Sequence, residues 1–202
     1  SSDVFSSDLF MHWNRQDLDE QANNRNFINQ TLWFFAHEVA HLYQPGNTDG
    51  VSKNNEQSWL HEGNADYFAA LAMNFLYEDT GSYVESRTIR AFESCIEGLE
   101  QTTLANAYKT GHFNLYYSCG MIMHRAIDNV VQQKTFGEES LFTVWQRLQK
   151  AVSKGMPPGT TTFLTLLEPY NAPELMNAIN DATSNDALKA IQGIEALYQM
   201  NQ

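Results

Sequence analysis

Residues 26–44 read NFINQTLWFFAHEVAHLYQ and residues 57–77 read QSWLHEGNADYFAALAMNFLY. In the first stretch apolar side chains recur at helical spacing, and Pro45-Gly46 follows as a stop, so a helix is predicted over Asn26–Gln44. Inside it, His37-Glu38-Val39-Ala40-His41 is an H-E-x-x-H sequence. Histidines at i and i+4 project from one helix face, so both imidazoles can reach one Zn²⁺ at ~2.0–2.1 Å. Glu38 lies ~100° around the helix, close enough to touch a water at the metal without binding the metal itself. With 6 His and 14 Glu in 202 residues, about 0.01 such matches arise by chance. Trp33 and Phe34 share the histidine face and would keep the metal in a dry pocket, where electrostatic forces are strong.

A catalytic zinc needs a third protein ligand and one open position. The second stretch, predicted helical over Gln57–Tyr77, offers Glu62, 21 residues beyond His41 and across the polar loop 45–56. A loop of that length lets two antiparallel helices meet at one ion. Asp66 stands one turn after Glu62 on the same face, where it can accept the free ring N–H of a ligand histidine. His61 is the rival third ligand and points ~100° away from the Asp66 face.

Farther along, helices are predicted over Tyr83–Leu99, Phe113–Val131 and Glu138–Ala151. A turn at Lys154–Thr161 follows, then helices at Thr162–Glu168, Pro173–Ile179 and Asn185–Met200. Alternation of period two is nearly absent; Val4–Trp13 has room for a short edge strand. The fold class is therefore mostly α, with at most a small β element near the N-terminus, and the length favours one domain over 1–202. Apolar residues at 43% suffice for a core, while no apolar run approaches the ~18 residues that a bilayer span needs. Twelve Lys+Arg against 24 Asp+Glu leave a net charge of −12, which argues against nucleic acid as a partner. Cys95 and Cys119 make either one disulfide or two buried thiols; the even count favours an oxidising compartment, periplasmic or extracellular. The chain opens on Ser1 without an initiator Met or a leader pattern, as a processed form or a fragment does.

H-E-x-x-H followed by Trp59-Leu60-His61-Glu62-Gly63 resembles the gluzincin metallopeptidases, in particular their aminopeptidase branch. The resemblance implies one zinc ion held by His37, His41 and Glu62, with Glu38 as general base. The acid four residues after the ligand glutamate, Asp66, matches the related thermolysin pattern. Tyr117-Ser118-Cys119-Gly120 resembles the family's Y-x-K-G stretch, which implies that Tyr117 stabilises the oxyanion, with Cys119 in place of the usual Lys. Tyr116 and His112 are the alternatives for that role, while His12 and His124 read as structural.

The resemblance covers about residues 30–131 and implies the helical half of a thermolysin-like zincin catalytic domain. Such domains place a β-rich half before the zinc helix, and only 36 residues precede His37, with no G-x-M-E-N-like segment. A β-rich domain upstream in the same parent chain is therefore an expected partner, beside a peptide or protein substrate. The expected function is zinc-dependent peptide hydrolysis, aminopeptidase-like. The alternatives are a weak or inactive zinc-containing binding module and a hydrolase of other bonds. The acidic balance gives the groove an expected negative rim suited to a free amine.

Overall fold

Asn24 starts the helix that carries H-E-x-x-H: its side-chain oxygen accepts from the Asn26 and Phe27 N–H groups, which satisfies two of the donors a helix start leaves open. In the computed structural model, which describes residues 18–44 and 57–200, a single turn α1 (Leu18–Gln21) leads into this helix, α2 (Arg25–His41). The order continues through α3 (Ser58–Leu76), α4 (Gly81–Leu99), α5 (Ala107–Thr110) and α6 (Asn114–Lys134). It ends with α7 (Leu141–Ser153), α8 (Thr160–Thr165), α9 (Pro173–Ala182) and α10 (Ala187–Gln199). Two 3₁₀ turns, Leu104–Asn106 and Glu168–Tyr170, fill corners. No strand occurs among the described residues, so the mostly α expectation holds for them. The strand expected at Val4–Trp13, His12, Pro45-Gly46 and the loop 45–56 lie outside the described residues.

Several boundaries differ from the sequence expectation, each for a local reason. Helix α2 stops at His41 rather than Gln44, because Leu42, Tyr43 and Gln44 donate to Val39, Ala40 and His41, a tighter i→i−3 pattern. Helix α7 begins at Leu141 rather than Glu138. Ser140 and Thr143 form a capping box there, just after Phe136 and Gly137 turn the chain with φ of 53° and 82°. Asp186 caps α10 by accepting from Leu188 and Lys189, so the helix starts at Ala187 rather than Asn185.

Helix α6 is the axis of the core, packed against α3, α4, α7, α9 and α10. Leu115, Cys119, Ile122, Met123, Ala126 and Ile127 along it are fully buried. Its crossing with α3 is set by two glycines. A Cβ placed on Gly63 would stand 2.2 Å from the Gly120 carbonyl carbon, and one on Gly120 would stand 2.5 Å from the Trp59 carbonyl oxygen. The two backbones are thus in contact, and no other residue fits at either position. One residue before Gly120, Cys119 is joined to Cys95 of α4 in a buried disulfide, Cα–Cα 5.0 Å, which settles the choice between bond and thiols. Closing that loop of 24 residues restricts the unfolded chain by about 3 kcal/mol.

Farther down α6, buried Asp128 accepts from the Tyr67 hydroxyl at 2.6 Å, the Leu141 N–H at 2.7 Å and the Gln132 amide at 2.9 Å. It ties α3 and the start of α7 to the axis. His124 is wholly buried between Trp59, Trp145 and Phe163, and its Nδ1 donates to the Gly120 carbonyl. Burial lowers its pKa to about 4, so it stays neutral; it is structural, as the sequence reading expected. No helix among the described residues is long and apolar enough to cross a membrane.

An alanine on an ordinary helix stabilises relative to glycine by up to ~1 kcal/mol. At this crossing the sign reverses: Gly63→Ala and Gly120→Ala should each lower stability by about 1–3 kcal/mol. Urea unfolding with a chelator present reads this, and an unchanged or higher midpoint in both variants would contradict the close crossing.

Candidate metal centre

Helices α2 and α3 pack side by side and bring His37, His41 and Glu62 together at their interface. His37 Nε2 lies 3.1 Å from His41 Nε2 and 3.3 Å from Glu62 Oε2, and His41 Nε2 lies 3.6 Å from the same oxygen. Ligand atoms ~2.1 Å from a tetrahedral zinc stand ~3.4 Å apart. The three observed separations bracket that value, so the donor set fits the ion without rearrangement.

Hydrogen bonds on the far side of each ring say which nitrogen carries a lone pair. His37 Nδ1 donates to Asp66 Oδ1 at 2.9 Å, and the Trp33 indole N–H donates to the same oxygen at 2.8 Å. His41 Nδ1 donates to Gln44 Oε1 at 2.9 Å. Gln44 is held in that orientation because its amide nitrogen donates to the His61 carbonyl at 2.8 Å and to Asn64 Oδ1 at 3.0 Å. When neutral, each ring therefore turns an Nε2 lone pair toward the Glu62 carboxylate. Three acceptors facing one point with no donor among them repel one another unless a cation joins them.

In the metal-free chain a proton can do this. Burial alone would lower the pKa of His37, but the Asp66 and Glu62 carboxylates outweigh it and raise the value to about 9. Glu62 is held well below the usual carboxylate range: burial pushes it up, and hydrogen bonds from His37, His41 and His61 more than reverse that. The His37 proton stabilises the metal-free fold fully below its ordinary pKa of 6.5 and is lost as pH rises through about 9. A divalent cation competes for the same lone pair and displaces that proton.

No family model, curated protein or solved structure matches the chain.

The other sequence candidates divide clearly. Asp66 stands where it was expected, behind His37. His61 does not join the triad: its ring stacks on His41 with centroids 4.3 Å apart and supports that ligand from the side. Tyr117 reaches the site from α6 and stacks on His37 at 5.7 Å. Burial and the carboxylates of Glu62, Asp66 and Glu38 raise its pKa to about 12, so the hydroxyl keeps its proton at neutral pH. Its rivals lie elsewhere. The Tyr116 hydroxyl accepts from the Tyr108 N–H, and His112 is bonded to Thr110 and Gln101.

A cleft of about 520 Å³ opens beside the triad, lined among others by Trp33, His37, Glu38, Asp66, Arg87 and Tyr117. Phe34, expected to help dry the pocket, is 43% exposed, so that shielding falls mainly to buried Trp33. The rim is not uniformly negative, because the Arg87 guanidinium lies over the Trp33 ring at 4.4 Å. Gln44 and Arg87 were both missed from sequence. Gln44 sits three residues past His41, beyond a helix that was expected to include it; a polar side chain one turn after a ligand was the available signal.

Gln44 touches no ligand atom of the triad directly, yet it sets the His41 tautomer. Gln44→Ala and Asp66→Ala should each weaken zinc binding roughly 10–100-fold, measured by competition with a chelator of known affinity. Wild-type affinity in both variants would contradict a role for these two acceptors in orienting the rings.

Proposed function

We propose that this chain is a zinc-dependent peptide hydrolase of the gluzincin kind. The observation that carries the reading is the convergence of two oriented Nε2 lone pairs and the Glu62 carboxylate at zinc-like separations, with Glu38 and Tyr117 lining the adjoining cleft. His37, His41 and Glu62 would hold the ion. When bound there, zinc supplies a Lewis acid that polarises a carbonyl and makes water acidic enough to ionise near pH 7.

Glu38, next to His37 in sequence and half-buried at the cleft, accepts a proton from water as that water's oxygen bonds to the scissile carbonyl carbon. The same carboxyl then delivers the proton to the leaving nitrogen as the C–N bond breaks. Tyr117 donates its hydroxyl proton in a hydrogen bond to the carbonyl oxygen as it gains negative charge, and its raised pKa keeps that donor intact. Trp33 and the wall of α3 exclude water from one side, which strengthens each of these interactions.

A structural zinc needs neither a carboxylate in Glu38's position nor a tyrosine over its ligand histidine. Glu38→Gln should therefore keep one zinc per chain and lose nearly all turnover of a peptide substrate. Tyr117→Phe should also keep the metal and lower kcat roughly 10²-fold. Full zinc occupancy with no chelator-sensitive peptide hydrolysis by the wild type would favour a binding module instead.

A further inference from the structure

Helix α4 carries Arg87 and Arg90, and neither forms an ion pair among the described residues, although acids outnumber cations two to one in this chain. The Arg87 guanidinium carbon lies 4.4 Å from the centroid of the Trp33 ring, a cation–π contact that uses none of its N–H donors. It lines the cleft beside the triad and also an adjoining hollow of about 270 Å³, which it shares with Tyr117, Arg90, Ser94, Asn114 and Ser118. Asp66, Arg87 and Tyr117 border both spaces, so the hollow with Arg90 adjoins the cleft beside the triad at Tyr117. The far wall holds the first turn of α6, where Asn114 donates to the Ser94 hydroxyl at 3.4 Å. The start of that 21-residue helix adds its positive end to the two guanidiniums. Every charged group bordering the hollow other than Asp66 is a cation, and Asp66 is already engaged by His37 and Trp33.

We infer that Arg87 and Arg90 form a carboxylate-binding subsite of the cleft, so that the substrate is a peptide presenting an acidic side chain or a free C-terminus beyond Tyr117. This rests on the peptidase reading of the metal centre and adds to it a substrate class. Arg87, stationed by its contact with Trp33, offers a two-pronged donor; Arg90, exposed and lining the hollow, supplies attraction and a second donor. An amine-terminated substrate would then be oriented by opposite charges, with its carboxylate toward α4.

Binding separates the subsite from the chemistry. The zinc-loaded full chain carrying Glu38→Gln, which prevents turnover, would be titrated calorimetrically with two peptide pairs. One pair is a blocked hexapeptide with a single Glu or Gln; the other is a neutral hexapeptide ending in a free acid or an amide. At least one charged member should bind roughly tenfold tighter than its neutral twin, and the pair that shows the contrast identifies the carboxylate's source. Adding Arg87→Gln should reduce the contrast to within about twofold, by weakening the charged peptide more than its neutral twin. Arg90→Gln, at an exposed position, should reduce it in part and serves if the Arg87 variant does not fold. Equal binding within both pairs, or a contrast that survives both replacements, would overturn the subsite. Chelator-sensitive hydrolysis by the wild type without charge preference would retain the peptidase and reject the subsite; charge preference in binding without any hydrolysis by the wild type would do the reverse.

Discussion

The contact between Gly63 and Gly120 is the constraint on which the site depends. Glu62 precedes Gly63 on α3, and Tyr117 stands three residues before Gly120 on α6, so the closest approach of the two backbones sets how a metal ligand and a hydroxyl donor face each other. A single methyl at either glycine would have to displace backbone rather than a flexible side chain. The disulfide at Cys119 secures the same region of α6 against α4, the helix that carries Arg87. Three helices are thereby held in register beside one cleft.

Electrostatics at the triad follow from that packing. A protein interior tolerates a cluster of acceptors only when something positive is shared among them. Here Asp66 and Gln44 direct both histidine N–H groups outward and leave lone pairs inward, while Glu62 adds a charge. A proton on His37 relieves this, and a divalent ion would compete with that proton for the same lone pair. Below the raised His37 pKa that proton stabilises the metal-free chain, and only at higher pH do the acceptors face one another uncompensated.

Much of this was legible in the sequence because helical period converts spacing into direction. His37 and His41 at i and i+4, and Glu62 and Asp66 at the same spacing one helix later, could be assigned faces without coordinates. Tyr117 depended instead on resemblance, because helical period alone does not say which helix its ring will meet; in the fold it stacks on His37. Gln44 was only faintly legible, as a polar side chain one turn after His41, because its role begins where the helix tightens and ends. Net composition says nothing of where the few cations stand: Arg87 borders the cleft beside the acids Glu38 and Asp66, and Arg90 borders the adjoining hollow. Whether two cysteines pair is likewise a question of distance, and sequence separation alone left it open.

The proposed chemistry requires one zinc among His37, His41 and Glu62. Anomalous X-ray diffraction on zinc-loaded crystals, recorded on both sides of the zinc absorption edge, would locate it. The expected result is one strong peak per chain, about 2.1 Å from His37 Nε2, His41 Nε2 and a Glu62 carboxylate oxygen. A peak on His61 in place of Glu62, or no zinc peak at the α2–α3 interface, would contradict it.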